Sequence, residues 1–252
     1  MTDKELKARL LKGLDIDYQG IIIRNYSTGE IFEDLGLDKY EYLISLTILD
    51  VKDIFKDNKI DNIDNLKMYD VICTSFEFNN WFIEFLNTFT YMEWSFGNFN
   101  DFVAYDENKK RFRITKDKFD GLMDIVRKMY VVNRGNKHKS SKFDFDKAVI
   151  KDEDMRQTLE ELAEAERKAK KRKGNKEITL NGIITGICSK SNSYNLFNIW
   201  NLTVYQLMAQ YYGIEQDENY RYVLTSIYSG VYDLKKSNTK LENIHWANEI
   251  EL

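Results

Sequence analysis

Between Phe76 and Phe99 the chain sets ten aromatic side chains in 24 residues: Phe76, Phe78, Trp81, Phe82, Phe85, Phe89, Tyr91, Trp94, Phe96 and Phe99. Each ring system removes roughly 150–250 Å² from water when buried, so this run decides where a core can form. A helix turns one face to a core, and ten rings do not fit on one face. Most are expected inside, and the surplus must be covered by other elements or meet a partner. Trp81, Phe85, Trp94 and Phe96 are assigned to that partner surface.

Apolar spacing around the run outlines an N-terminal unit. Residues 4–12 put Leu6, Leu10 and Leu11 on one helical face and stop at Gly13. Ile21, Ile22 and Ile23 predict a strand over 19–26, followed by a turn at Ser27, Thr28 and Gly29 and a return over 30–34. Helices are predicted over 39–55, 66–76 and 78–90. Residues 99–105 and 110–114 alternate on either side of Asp106, Glu107, Asn108 and Lys109, which are hairpin-turn residues. Thr115 is placed to cap a helix reaching about Val132.

A polar, basic stretch over 134–142 separates this unit from a charged helix predicted over 152–173. Acids fill the first half of that helix and bases the second, matching the helix dipole, and Glu164 with Lys168 and Glu166 with Lys170 have the favourable spacing. Only Met155, Leu159, Leu162 and Ala163 form an apolar stripe, so it reads as a solvated or partner-bound spacer of about 33 Å at 1.5 Å per residue. No proline breaks it, because the chain has none. The accompanying wealth of Asn, Lys, Ile and Asp lets AT-rich coding bias explain that absence about as well as structure does.

Beyond it, Thr179 opens a helix through Ile183, Ile184, Ile187 and Cys188. A turn over 189–193 leads to Ile199 and Trp200, helices follow over 202–212 and about 220–228, and Trp246 is expected to close the core. The fold class is α+β, mostly helical. The domains are 1–133 (helical, with one or two β-hairpins), 134–176 (polar linker and charged helix) and 177–252 (small and all-helical).

Composition argues against several functions. The net charge of −4, from 37 basic and 41 acidic residues, gives the whole chain no electrostatic reason to seek nucleic acid or an anionic membrane. The apolar runs fall far short of a spanning helix, and no apolar leader follows Met1. Two distant cysteines, Cys73 and Cys188, suggest reduced thiols in a cytoplasm. With His138 and His245 they lack zinc-site spacing. Residues 57–68 begin like a calcium loop but carry Asn62 at the glycine position and Met68 at the glutamate position.

No phosphate-cradling glycine loop or nucleophile elbow is present. Asp101, Glu107 and Lys109 are the residue types of a Mg²⁺-dependent nuclease, yet the latter two also fit a solvated turn, which is the preferred reading. No catalytic residue, cofactor or metal is therefore assigned, and the chain is expected not to be an enzyme. Seven bases lie within 167–176, but no aromatic residue interleaves them and acids precede them. A solvated helix or protein contact is favoured there over nucleic acid, with Arg167, Lys170, Lys171, Arg172 and Lys173 assigned to the partner if there is one.

One resemblance is more specific. Ile178-Thr179-Leu180-Asn181-Gly182-Ile183-Ile184-Thr185-Gly186-Ile187, Asn198-Ile199-Trp200-Asn201-Leu202-Thr203-Val204-Tyr205-Gln206-Leu207 and Ile244-His245-Trp246 resemble proteins encoded in tail-gene regions of phages of Gram-positive bacteria. These are similar in arrangement to phage tail assembly chaperones. The resemblance implies a non-enzymatic protein of the host cytoplasm that binds the tape-measure protein and recruits tail-tube subunits, with Trp200 and Tyr205 in the domain core. The alternatives are a structural virion protein of the neck or tail, or a nucleic-acid-binding, anti-defence accessory protein. Self-association is a further partner expectation.

Overall fold

The computed structural model describes residues 1–54, 66–132, 179–230, 240–250 and 252. The polar stretch 134–142, the charged helix 152–173 with Arg167, Lys170, Lys171, Arg172 and Lys173, and the calcium-like loop before Leu66 lie outside the described residues. Helix α1 (Asp3–Leu11) begins with a reciprocal cap: Thr2 Oγ1 accepts the Glu5 N–H, and the Glu5 carboxylate accepts the Thr2 N–H. Gly13, at φ +71°, turns the chain out of it.

The first hairpin pairs β1 (Ile16–Tyr18), which was not expected, with β2 (Ile21–Ile23), which lies inside the strand expected over 19–26. Gln19 and Gly20 both have positive φ, the geometry of a tight two-residue turn that Gly20 makes accessible. The return strand expected over 30–34 is helical instead. Ser27 and Glu30 form a second capping box, which starts α2 (Thr28–Glu30) and runs into a π-helical turn over Ile31–Leu35.

Helix α3 (Leu37–Ser45) and the short α4 (Val51–Ile54) replace the single helix expected over 39–55. Between them Leu46, Thr47 and Ile48 donate their N–H groups to carbonyls three residues back, at 3.3, 2.9 and 3.2 Å, the tighter bonding with which an α-helix ends. Helices α5 (Met68–Thr74) and α6 (Phe76–Phe89) follow the predicted periodicity. Then come β3 (Trp94–Phe96), β4 (Phe102–Tyr105) and β5 (Arg111–Ile114), an antiparallel sheet in sequential order, and α7 (Lys116–Met129). Strand β3 was not predicted; its three residues are too few to show an alternation inside the aromatic run.

Two compact units divide the chain. In the first, Phe82 of α6 meets Phe102 of β4 edge-on at 4.7 Å and Phe119 of α7 at 5.4 Å. Phe89 reaches Tyr130 at 5.2 Å and Tyr26 at 5.9 Å. The Tyr130 hydroxyl donates to the Arg24 carbonyl at 2.8 Å, so the polar tip of this buried ring is satisfied. Burial raises the pKa of both Tyr130 and Tyr40 far above the ordinary phenol value.

Phe197–Leu207, grouped by the sequence with 177–252, clusters with this first unit. The Thr28 N–H donates to the Leu202 carbonyl at 2.7 Å, and Thr28 Oγ1 lies 3.3 Å from the Trp200 carbonyl. Phe32 meets Trp200 edge-on at 5.4 Å, and Gln206 donates to the Leu11 carbonyl at 3.0 Å. Tyr205 is buried and Trp200 half-buried.

In the second unit, α8 (Leu180–Lys190) starts where Thr179 Oγ1 accepts the Gly182 N–H, and it buries Ile183, Ile184 and Ile187. A single helix α9 (Val204–Tyr228) stands where two were predicted, and from Met208 it belongs to this unit. Lys190 pairs with Glu218 at 2.6 Å, joining α8 to α9. Gln216 donates to the carbonyls of His245 and Asn248 at 2.8 and 3.2 Å. Trp246 is exposed rather than closing the core; Ile244 is buried in its place.

Truncating Phe82, which is fully buried, to alanine should lower unfolding free energy by about 3–5 kcal/mol. Phe76→Ala, at an exposed position, should change it by no more than about 0.5 kcal/mol. Urea denaturation followed by circular dichroism measures both.

Candidate interaction surface

Register divides the three-stranded sheet into two faces. One carries Trp94, Ala104 and Phe112 in one row and Phe96, Phe102 and Ile114 in the next. The other carries Ser95, Val103 and Arg113, with Tyr105 beside Arg111 and Asp101 two residues before Val103. The four aromatics assigned to a partner therefore separate. Phe85 and Trp94 are interior: Phe85 packs 5.0 Å from Phe89, and the Trp94 indole donates to Thr90 Oγ1 at 2.8 Å. A buried indole N–H needs such an acceptor, and the α6-to-β3 connection supplies it.

Trp81 is half-buried, stacked on Tyr42 at 5.0 Å. Phe96 is exposed at its rim, though its ring still touches Phe102 at 5.2 Å. More exposed than any of these are three residues of the same run that were not singled out, Phe76 at 82%, Phe99 at 76% and Tyr91 at 63%. Phe76 opens α6, and Phe99 sits in the β3–β4 turn. Tyr69 donates to the Asn100 carbonyl at 2.8 Å, and Cys73 Sγ lies 3.7 Å from the same oxygen. Along the chain Phe76 follows Cys73 by three residues and Phe99 precedes Asn100 by one.

Asp101 ends the turn. Its side chain is 1% exposed, and one oxygen, Oδ2, takes Arg113 Nε at 2.5 Å and Arg111 Nη2 at 3.4 Å. The other oxygen, Oδ1, has no hydrogen-bond partner. It rests against Gly97, where any β-carbon would collide with it. The Gly97 N–H also donates to the Asp101 carbonyl at 2.7 Å, so glycine is required by close approach.

Glu107 and Lys109 lie past the far end of β4, four or more residues from Asp101, a separation of about 13 Å or more at roughly 3.3 Å per residue. There Asp106 Oδ1 accepts the N–H groups of Asn108 and Lys110 at 2.9 and 2.8 Å, the pattern of a self-capped turn. The residues weighed as a nuclease set are thus not brought together. Among the described residues no group of three or more His, Cys, Asp and Glu is arranged to hold a metal ion. No described helix is long and apolar enough to cross a membrane.

Burial raises the Cys73 thiol pKa above its ordinary value, against a smaller opposing contribution from the Tyr69 hydroxyl. In a Cys188→Ser background, disulfide-exchange labelling should therefore be slower than for a free cysteine at neutral pH. It should accelerate only as pH rises past the ordinary thiol range, which a stopped-flow pH series would show. Gly97→Ala should lower stability by about 1–3 kcal/mol, through the forced displacement of the buried carboxylate; thermal and urea unfolding measure it.

No curated protein and no solved structure matches the chain. A family model does match the C-terminal third. The matched span includes 178–187, 198–207 and 244–246, the stretches that carry the resemblance to phage proteins. By this match, residues 169–251 are similar to the YomV second domain, a phage-derived family.

Proposed function

We propose that the chain is a non-enzymatic phage protein that works in tail assembly by binding other phage proteins, the tape-measure and tail-tube proteins among them. Two large rings held in water, Phe76 and Phe99, carry this reading. A partner that covers both would remove several hundred Å² of apolar surface from water, on the scale of about 150–250 Å² per ring. The phage-derived family match supports the setting. The expected place of action is the host cytoplasm, and a position in the virion is the alternative.

Co-expression with tape-measure and tube proteins, followed by affinity purification and size-exclusion chromatography, tests the reading. The wild-type chain should co-purify with at least one of them. Phe76→Ser with Phe99→Ser should weaken that association about tenfold or more, while the circular dichroism spectrum is retained. If the wild-type chain binds neither protein, the proposal is overturned.

A further inference from the structure

We propose that Arg111 and Arg113 form a carboxylate-binding fork on the outer face of the three-stranded sheet, and that the protein partner presents an acidic peptide segment to it. This rests on the protein-binding function proposed above and assigns a surface to it. A pairing made only to stabilise the sheet is best met by two parallel N–H···O bonds between one guanidinium and both carboxylate oxygens. Asp101 does not provide that. Both arginines share Oδ2, while Oδ1 is turned to Gly97 without a hydrogen-bond partner.

Each guanidinium thus commits one N–H to Asp101 and, among the described residues, bonds to nothing else. Their side chains remain 41% and 43% exposed although their shared anchor is buried. One carboxylate against two guanidiniums leaves one net positive charge. Asp101 also restricts the two side chains before any ligand arrives, which lowers the ordering cost of binding. Tyr105, 58% exposed, is the cross-strand neighbour of Arg111 and offers an apolar wall beside the fork. Tyrosine and arginine are residue types over-represented where binding energy concentrates.

The same face favours a peptide over a polynucleotide. Phosphate backbones bind through summed positive charge. Here Asp101 leaves the two arginines a single net positive charge, and the chain as a whole is at −4. A planar fork that recognises a single carboxylate needs no such field.

The test uses the full chain, ¹⁵N-labelled at arginine, with resonances assigned through the Arg111 and Arg113 variants. N-acetylated oligoglutamate, oligothymidylate and inorganic phosphate are titrated separately. Oligoglutamate should shift the Arg111 and Arg113 Nε–Hε signals saturably, with oligothymidylate and phosphate leaving them in place. Arg111→Gln with Arg113→Gln should weaken peptide binding about tenfold or more. Arg111→Lys with Arg113→Lys keeps the charge that Asp101 needs for folding but lacks the fork, and should weaken binding comparably. No saturable shift with oligoglutamate, undiminished binding by the lysine variant, or tighter binding of oligothymidylate would each overturn the inference. If the tube or tape-measure protein still co-purifies while oligoglutamate fails to bind, this inference alone falls; if neither co-purifies, the proposed function falls on its own test.

Discussion

Phe82 and Phe102 meet nearly at right angles, and on that contact the arrangement of the first unit depends. It joins the middle of α6 to the central strand of the sheet. Phe119 from α7 comes within 5.4 Å of Phe82, and Tyr69 from α5 comes within 5.4 Å of Phe119. Edge-to-face geometry sets the positive edge of one ring on the negative face of another, worth about 0.5–1.5 kcal/mol per pair beyond the area buried. Rings locked at fixed angles also fix the elements that carry them. The Tyr69 hydroxyl extends this fixing to the backbone: the carbonyls of Asn100 and Ile114, at 2.8 and 3.0 Å on the two sides of the β4–β5 hairpin's open end, share its one proton.

Much of this order was legible in the chain because local chemistry and burial agree. The apolar faces of α5, α6 and α7, the hairpin turn at Asp106 and the Thr179 cap all sit where periodicity and capping place them. The misplacements have physical causes. Ser27 with Glu30 is a helix-starting pair, and reading Ser27-Thr28-Gly29 as a strand turn overlooked the acidic partner three residues on. The isoleucine run is a strand as expected, but its partner lies upstream at Ile16–Tyr18, across the Gln19-Gly20 turn, instead of downstream. The break between α3 and α4 falls where the backbone over 46–48 tightens to bonds three residues back, a change that apolar spacing does not register.

The surface was harder to read than the fold. The structure leaves Phe76, Tyr91, Phe96 and Phe99 outside, and counting aromatics along the chain shows that such a surplus exists. It does not show which rings, because Trp94 could be buried only once Thr90 supplied an acceptor for its indole. Phe76 at the first position of α6 and Phe99 in a turn owe their exposure to where the elements end. The pairing of Asp101 with Arg111 and Arg113 follows from antiparallel register, a relation between β4 and β5 that spacing along the chain suggests only after the hairpin is accepted.

The attachment of Phe197–Leu207 to the first unit has a consequence for synthesis on the ribosome. Thr28, which is fully buried, has the Leu202 and Trp200 carbonyls among its partners, and those residues are made long after the rest of its surroundings. At roughly 5–20 residues per second, the interval between residue 135 and residue 207 lasts about 4–14 s. Through that time the Ser27-to-Glu30 cap can form, while its neighbouring backbone N–H waits for an acceptor. The first unit is thus N-terminal by position yet late to finish, and its completion is timed by a segment embedded in the region that matches a phage-derived domain.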